Sequence, residues 1–253
     1  MTSPLILAVL FVAAFWAGAQ NALAGGGSFI TLPALILSGL DARAANITST
    51  IALFPGQVTT GLVGRASVEG AGGLSFRTLM VISFVGGALG AWLLLATPAS
   101  FFAHLVPWLV LFATGMFGWG SFIRKPTDSA KPLGRVPTAL MQLGISIYGG
   151  YFGGGIGFLM LAGLTIAGLA VRNAGATKNV LSGVMNASAV LVFVFTTRLD
   201  WVRVMVVAVG AIGGGYLGGV MLKRVDDTAL RIVVILIGIA LTIGLFLRAR
   251  GLV

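Results

Sequence analysis

The 253-residue chain contains no cysteine. That excludes disulfides, thiolate metal centres and cysteine nucleophiles, and it leaves the redox compartment unread. Charge is almost as scarce, at 9% of residues against about 25% in a soluble domain. There are six acidic residues and one histidine. Asp41, Glu69, Asp128, Asp200, Asp226 and Asp227 all fall in expected loops. A cation transporter or proton relay keeps a carboxylate at membrane depth, and no acid can be assigned there. His104 stands at a segment start among Phe101, Phe102 and Trp108, an interfacial setting. A membrane-embedded enzyme would need a carboxylate, histidine or metal cluster at the interface. The loops offer scattered acids and an unaccompanied Asp226-Asp227 pair. No cofactor, no metal and no catalytic residue is expected, and the reading is of a protein that is not an enzyme.

What the chain has in abundance is apolar sequence: 58% hydrophobic residues, with a mean hydropathy of +1.06. No charge occurs from Thr2 to Leu40, Thr78 to Ile123, Val136 to Val171, Asn179 to Thr197, Val204 to Leu222 or Ile232 to Leu247. A bilayer span needs about 20 mostly apolar residues, so these gaps are spans and pairs of spans. The fold class is all-α: a polytopic, multi-pass transmembrane bundle in the cell (inner or plasma) membrane. The net charge of +10 does not imply nucleic acid. The bases lie between apolar runs, as in RKPTDSAKPLGR, Arg124 to Arg135, which reads as a cytoplasmic loop facing anionic lipid. Ala22-Leu23-Ala24 resembles a signal-peptidase site, yet no Lys or Arg precedes the run and apolar character resumes at Phe29. It reads as a retained first span.

Apolar segments are expected near 5–24, 28–38, 45–64, 77–97 and 102–123, then near 137–152, 156–169, 175–197, 202–222 and 229–248. The second set repeats the first. Gly25-Gly26-Gly27 matches Gly153-Gly154-Gly155, Arg43 to Thr48 matches Arg172 to Thr177, and GGALGA at Gly86 matches GGYLGG at Gly214. All three keep an offset of 128 or 129 residues. The expected organisation is a first transmembrane repeat over 1–123, a basic cytoplasmic linker over 124–136 and a second repeat over 137–253. Five crossings per half would make the repeats inverted, the plan of many secondary transporters. Eleven Lys and Arg then share the face of the Arg124–Arg135 loop and five the other, which places both termini outside. Segment 28–38 is short for a span. Were it re-entrant, four crossings per half would remain and that orientation would fail.

Three consecutive glycines inside an apolar segment need a reason, because each costs a helix about 1 kcal/mol relative to alanine. Irregular backbone at membrane depth survives only against protein or a water-filled cavity, and paired breaks in two halves point to a transporter's site. The helices after the breaks, from Ser28 and Ile156, aim unpaired N–H groups and the positive end of a dipole at that place. The candidate substrate-binding residues are Asn21, Gly25, Gly26, Gly27, Ser28, Thr48 and Ser49 in the first half. In the second they are Gly153, Gly154, Gly155, Thr177, Lys178, Asn179 and Asn186. Lys178 replaces Ser49 in the repeat register, and either pairs with an anion or snorkels to the interface. Gly86/Gly90 and Gly214/Gly218 read instead as close helix packing.

On these residues the chain resembles the TauE/SafE family of sulfite and sulfonate exporters. The resemblance lies in GGGSFITLPALILSGLDARAANITST (Gly25 to Thr50) and its degenerate copy GGGIGFLML…VRNAGATKNVL (Gly153 to Leu181). Gly25–Gly27, Pro33, Gly39, Thr48, Ser49, Thr177, Lys178 and Asn179 match the family pattern, as does Asp200-Trp201. The second copy has Leu161 and Ala162 where Pro33 would repeat, and Gly73-Leu74-Ser75-Phe76 stands where the family often has Asp-Trp. The resemblance implies transport of a small sulfur-containing anion such as sulfite, sulfoacetate or another organosulfonate. Another small organic or inorganic anion, imported or exported, is the alternative. The expected partners are the lipid bilayer and the anion, with no nucleic acid; a homodimer is left open.

Overall fold

The computed structural model describes residues 3–23, 26–64, 67–119, 133–221 and 227–249. Gly25 and most of the 124–136 linker lie outside the described residues. Ten α-helices run through the described ones: α1 Pro4–Leu23, α2 Ser28–Leu37, α3 Ala42–Gly64, α4 Phe76–Ala96 and α5 Ala99–Gly118, then α6 Arg135–Tyr151, α7 Ile156–Ile166, α8 Val171–Thr196, α9 Trp201–Met221 and α10 Asp227–Ala249. No named strand occurs among them; Ala71 and Leu74 form an isolated bridge.

Local chemistry sets the helix edges. Asp41 Oδ1 accepts from the Arg43 and Ala44 N–H groups at the start of α3. Asp200 accepts from the Arg203 N–H at the start of α9, and Ser75 Oγ from the Thr78 N–H at α4. These are N-caps, so two of the scarce acids are spent on helix starts. The short helices end alike. Leu40 N–H donates to Leu35 O after α2, and Leu169 N–H to Leu164 O after α7, with Gly39 at φ +97° and Gly168 at φ +101° between. This is the Schellman stop, which needs a left-handed residue.

Four helices, α1, α4, α5 and α8, are long and apolar enough to cross a membrane by length and composition among the described residues. α9 and α10 hold shorter apolar stretches, and α2 and α7 are short throughout. The outside of the molecule is apolar: Leu37 and Phe195 are each 82% exposed, and all five tryptophans are exposed. The interior holds Gln20, Thr31, Asn46, Ser49, Gln142, Ser146 and Asn186. Such a surface suits lipid, not water.

α2 doubles back along α1. Gly27 lies beside the Ala17 carbonyl, and Leu37 and Ser38 share a surface hollow with Leu5 and Ile6. α7 doubles back along α6, with Gly163 against Met141 and Ile145. Each short helix is therefore the return leg of a hairpin. Between helices, α1 lies on α9, α4 on α6, α3 on α8 and α5 on α10. Glycines set the first two approaches: a Cβ at Gly214 would collide with the Phe15 carbonyl, and one at Gly90 with that of Ile147. The close-packing role expected for these stretches is the one seen.

The ends of the bundle are defined by polar ties. At the first end Arg43 Nη1 donates to Thr97 O (2.9 Å) and Arg203 Nη2 to Ser38 O (2.9 Å), gathering the starts of α3 and α9 with the ends of α2 and α4. At the second end Gly72 N–H donates to Ala167 O (2.9 Å) and Leu133 N–H to Ile166 O (3.3 Å).

Candidate functional site

The first break folds back on α1. Gln20 Nε2 donates to Gly26 O and Gly27 N–H to Asn21 Oδ1, both at 3.4 Å. Thr31, one turn into α2, donates its hydroxyl to Gly27 O (3.2 Å). Its Oγ1 also lies 2.6 Å from Ser49 Oγ on α3. Asn21, Gly26, Gly27, Ser28 and Ser49 therefore gather at one place, and Thr31 is the residue that ties them. The Gln20 Oε1 atom there is buried and unpartnered.

The second break meets the same turn of α3 from another side. Asn46 Nδ2 donates to Tyr151 O (3.2 Å), and a Cβ at Gly153 would lie 4.0 Å from Thr50 Oγ1. Tyr148 hydroxyl donates to Gly154 O (2.9 Å). Gly155 takes φ +72° and leaves α7 with no side-chain cap. Both breaks thus border the Asn46–Thr50 turn, through Ser49 on one side and Asn46 and Thr50 on the other. α3 stands between them.

Lys178 is the exceptional side chain. A Cβ at Gly157 would lie 3.7 Å from Lys178 Nζ and 3.9 Å from its Cδ, so the ammonium stands over the first turn of α7. The ion pair formed among the described residues is Arg203 with Asp200, and Lys178 has no carboxylate partner among them. A cation and the positive end of a helix dipole repel each other. Lys178 is half-buried, and a cation beside a helix start with no carboxylate alongside is a combination that attracts negative charge.

The remaining candidates lie elsewhere. Thr177 accepts the Glu69 N–H (3.0 Å) and donates to Glu69 O (3.4 Å), so its hydroxyl holds the 67–75 segment. Asn179 packs by its backbone against Gly61 on α3. Asn186 Nδ2 donates to Gln57 Oε1 where α8 crosses α3, and its Oδ1 is buried and unpartnered. Thr48 borders a separate cavity at the first end of the bundle. Gln57 escaped the sequence reading although a signal existed: it lies 129 residues before Asn186, the repeat offset. No spacing argument singles out Thr31 or Tyr148. Among the described residues no group of three or more His, Cys, Asp or Glu could hold a metal.

Comparison with known proteins gives the family. The family model described as "Sulfite exporter TauE/SafE" matches residues 10–245. A "Probable membrane transporter protein YfcA" of Escherichia coli K12 is 27% identical over 260 residues, 99% of this chain and 93% of that protein. A "Probable membrane transporter protein" of Haemophilus influenzae is 29% identical, with 94% and 93% covered. A "Probable membrane transporter protein ORF9" of Sinorhizobium sp. is 30% identical, with 95% and 92% covered.

Proposed function

The chain belongs to the TauE/SafE family of membrane transporters, and we propose that it exports small sulfur-containing anions, such as sulfite or an organosulfonate, across the cell membrane. The observation behind the proposal is the Lys178 ammonium above the uncapped first turn of α7. Two sources of positive potential converge there, and a tetrahedral or pyramidal oxyanion has the oxygens to take both the ammonium and the helix N–H groups. The Gly27–Thr31–Ser49 chain at the first break is the counterpart in the other half, with hydroxyls in place of the cation.

The transport cycle in this reading is alternating access between two inverted repeats, 1–123 and 137–253, rocking about the α3–α8 contact. Support comes from the pairing of helices. Exchanging the halves turns α1 on α9 into α6 on α4, and leaves α3 on α8 and α5 on α10 unchanged. The hairpins α1–α2 and α6–α7 start from opposite ends of the bundle. Export needs no driving ion: a negative charge leaving a negative interior gains about 2.3 kcal/mol per 100 mV.

The test is sulfite and sulfonate flux in proteoliposomes under an imposed potential. Loss of one member of a desolvated charge contact costs about 2–5 kcal/mol, so Lys178→Met should raise KM about 30-fold or more. Lys178→Arg should keep much of the flux. Equal flux in both variants and the parent would end the proposal.

A further inference from the structure

A cavity of about 570 Å³ opens at the first end of the bundle, with no residue of either glycine break in its lining. Ala44, Ile47 and Thr48 of α3 form one wall, and the end of α8 with the following turn, Thr196 to Asp200, forms another. Two guanidinium groups, Arg43 and Arg198, border it, and so do two carboxylates, Asp41 and Asp200. The acids decide less than their number implies. Asp41 is exposed and spends one oxygen, Oδ1, on the N–H groups of Arg43 and Ala44, and Asp200 is held by the Arg203 N–H and its guanidinium. Arg43 is fixed by the Leu95 and Thr97 carbonyls. Arg198 is exposed and makes no hydrogen bond or ion pair among the described residues. The uncommitted cation of the cavity is therefore Arg198; the Thr196 and Thr197 hydroxyls donate to the Val192 and Phe193 carbonyls of α8.

The matching place in the other half is filled. Thr177 stands 129 residues after Thr48, and there the Glu69 backbone covers it and uses its hydroxyl. Thr48, itself buried, borders the cavity instead. We infer that the cavity under Arg43 and Arg198 is a docking vestibule for small oxyanions, sulfonates and similar monoanions, at the end of the bundle that stands open in this conformation. Its place in a transport cycle rests on the anion-transport reading above; its chemistry as an anion site does not. The planar fork of Arg198 suits two oxygens of a sulfonate at once.

The absence of cysteine allows a test with a single introduced thiol. Ala44→Cys adds one to the half-buried wall of the cavity. Its labelling rate is measured in proteoliposomes with an anionic reagent, 2-sulfonatoethyl methanethiosulfonate, and with the cationic trimethylammonium analogue. Electrostatic steering into a charged cleft changes rates by about 10-fold or more. The expected result is a preference for the anionic reagent that falls about tenfold in Arg198→Gln and survives in Arg198→Lys. Isethionate at millimolar concentration should slow the labelling, and chloride at equal ionic strength should not. Equal rates for both reagents, or a preference unmoved by Arg198→Gln, would overturn the inference. So would isethionate acting no better than chloride, which would leave a diffuse field and no site. Flux measured on the same vesicles separates the two ideas. Lys178-dependent flux without the labelling preference removes the vestibule alone, and the preference without any flux removes the transport reading alone.

Discussion

Gly155 shows what a single residue contributes here. Its φ of +72° is a conformation that costs an L-residue about 1–2 kcal/mol, and a Cβ there would stand 2.9 Å from Ala113 Cβ. Gly155→Ala should therefore lower stability by about 1–3 kcal/mol, read as the midpoint of denaturation in detergent; an unchanged midpoint would show that the α7 start relaxes freely. The Asn186–Gln57 hydrogen bond lies where the two long polar-bearing helices cross. Interhelical hydrogen bonds in membrane proteins contribute about 0.6 kcal/mol on average and rarely more than about 1.7. A double-mutant cycle with Asn186→Ala and Gln57→Ala should give a coupling of that size. A coupling of zero would make the contact incidental.

Among the helices, the glycine-lined contacts act as rulers for distance. α4 approaches α6 through Gly86 and Gly90, and α1 approaches α9 through Gly18 and Gly214. Gly90→Ala places a methyl into the Ile147 carbonyl, so the helices must separate and lose packing along their length, a cost of about 1–3 kcal/mol. Gly144 lies on α6 as well, but a Cβ there meets nothing within 4 Å. Gly144→Ala should be neutral or stabilising by up to about 1 kcal/mol through helix propensity. Thermal denaturation of the two variants side by side checks this. Similar losses in both would mean that glycine itself, and not close approach, matters at Gly90. The return legs α2 and α7 owe their length to the glycine stops at Gly39 and Gly168, which end each after about three turns.

For the molecule as a whole, the direction of each helix bears on sidedness. The hairpin α1–α2 enters and returns, so α3, α4 and α5 carry the chain to the opposite end, as five full crossings would. The short segment does not reverse the orientation expected from the charges. α10 runs back beside α5, with Ile235 near Gly118 and Phe246 on Trp108, so the start of α1 and the end of α10 both lie toward the first end. The second end carries Arg77, Arg135 and Arg172 at the starts of α4, α6 and α8, and the eleven-to-five charge asymmetry expected from the sequence makes it the end expected to face the cytoplasm. Reporter fusions should place the C-terminus outside and an insertion in the Arg124–Arg135 loop inside. The reverse result would turn the vestibule at Arg198 toward the cytoplasm.

Much of the architecture follows from sequence alone, because the bilayer turns hydropathy into segment limits. The expected segments and the observed helices differ by a few residues at most ends, as Ser28–Leu37 against 28–38 illustrates. Glycine breaks, the repeat offset and the family pattern are equally local features, readable without coordinates. The fate of each polar side chain is not local. Thr48 and Ser49 are neighbours in sequence, yet about 100° of helical rotation sends one to an open cavity and the other to Thr31. Thr177 occupies the same register as Thr48 and is spent on the Glu69 backbone, because a surface segment happens to dock there. Periodicity names the face a residue occupies; only long-range packing decides what that face meets, and so which hydroxyls and cations are left for a ligand.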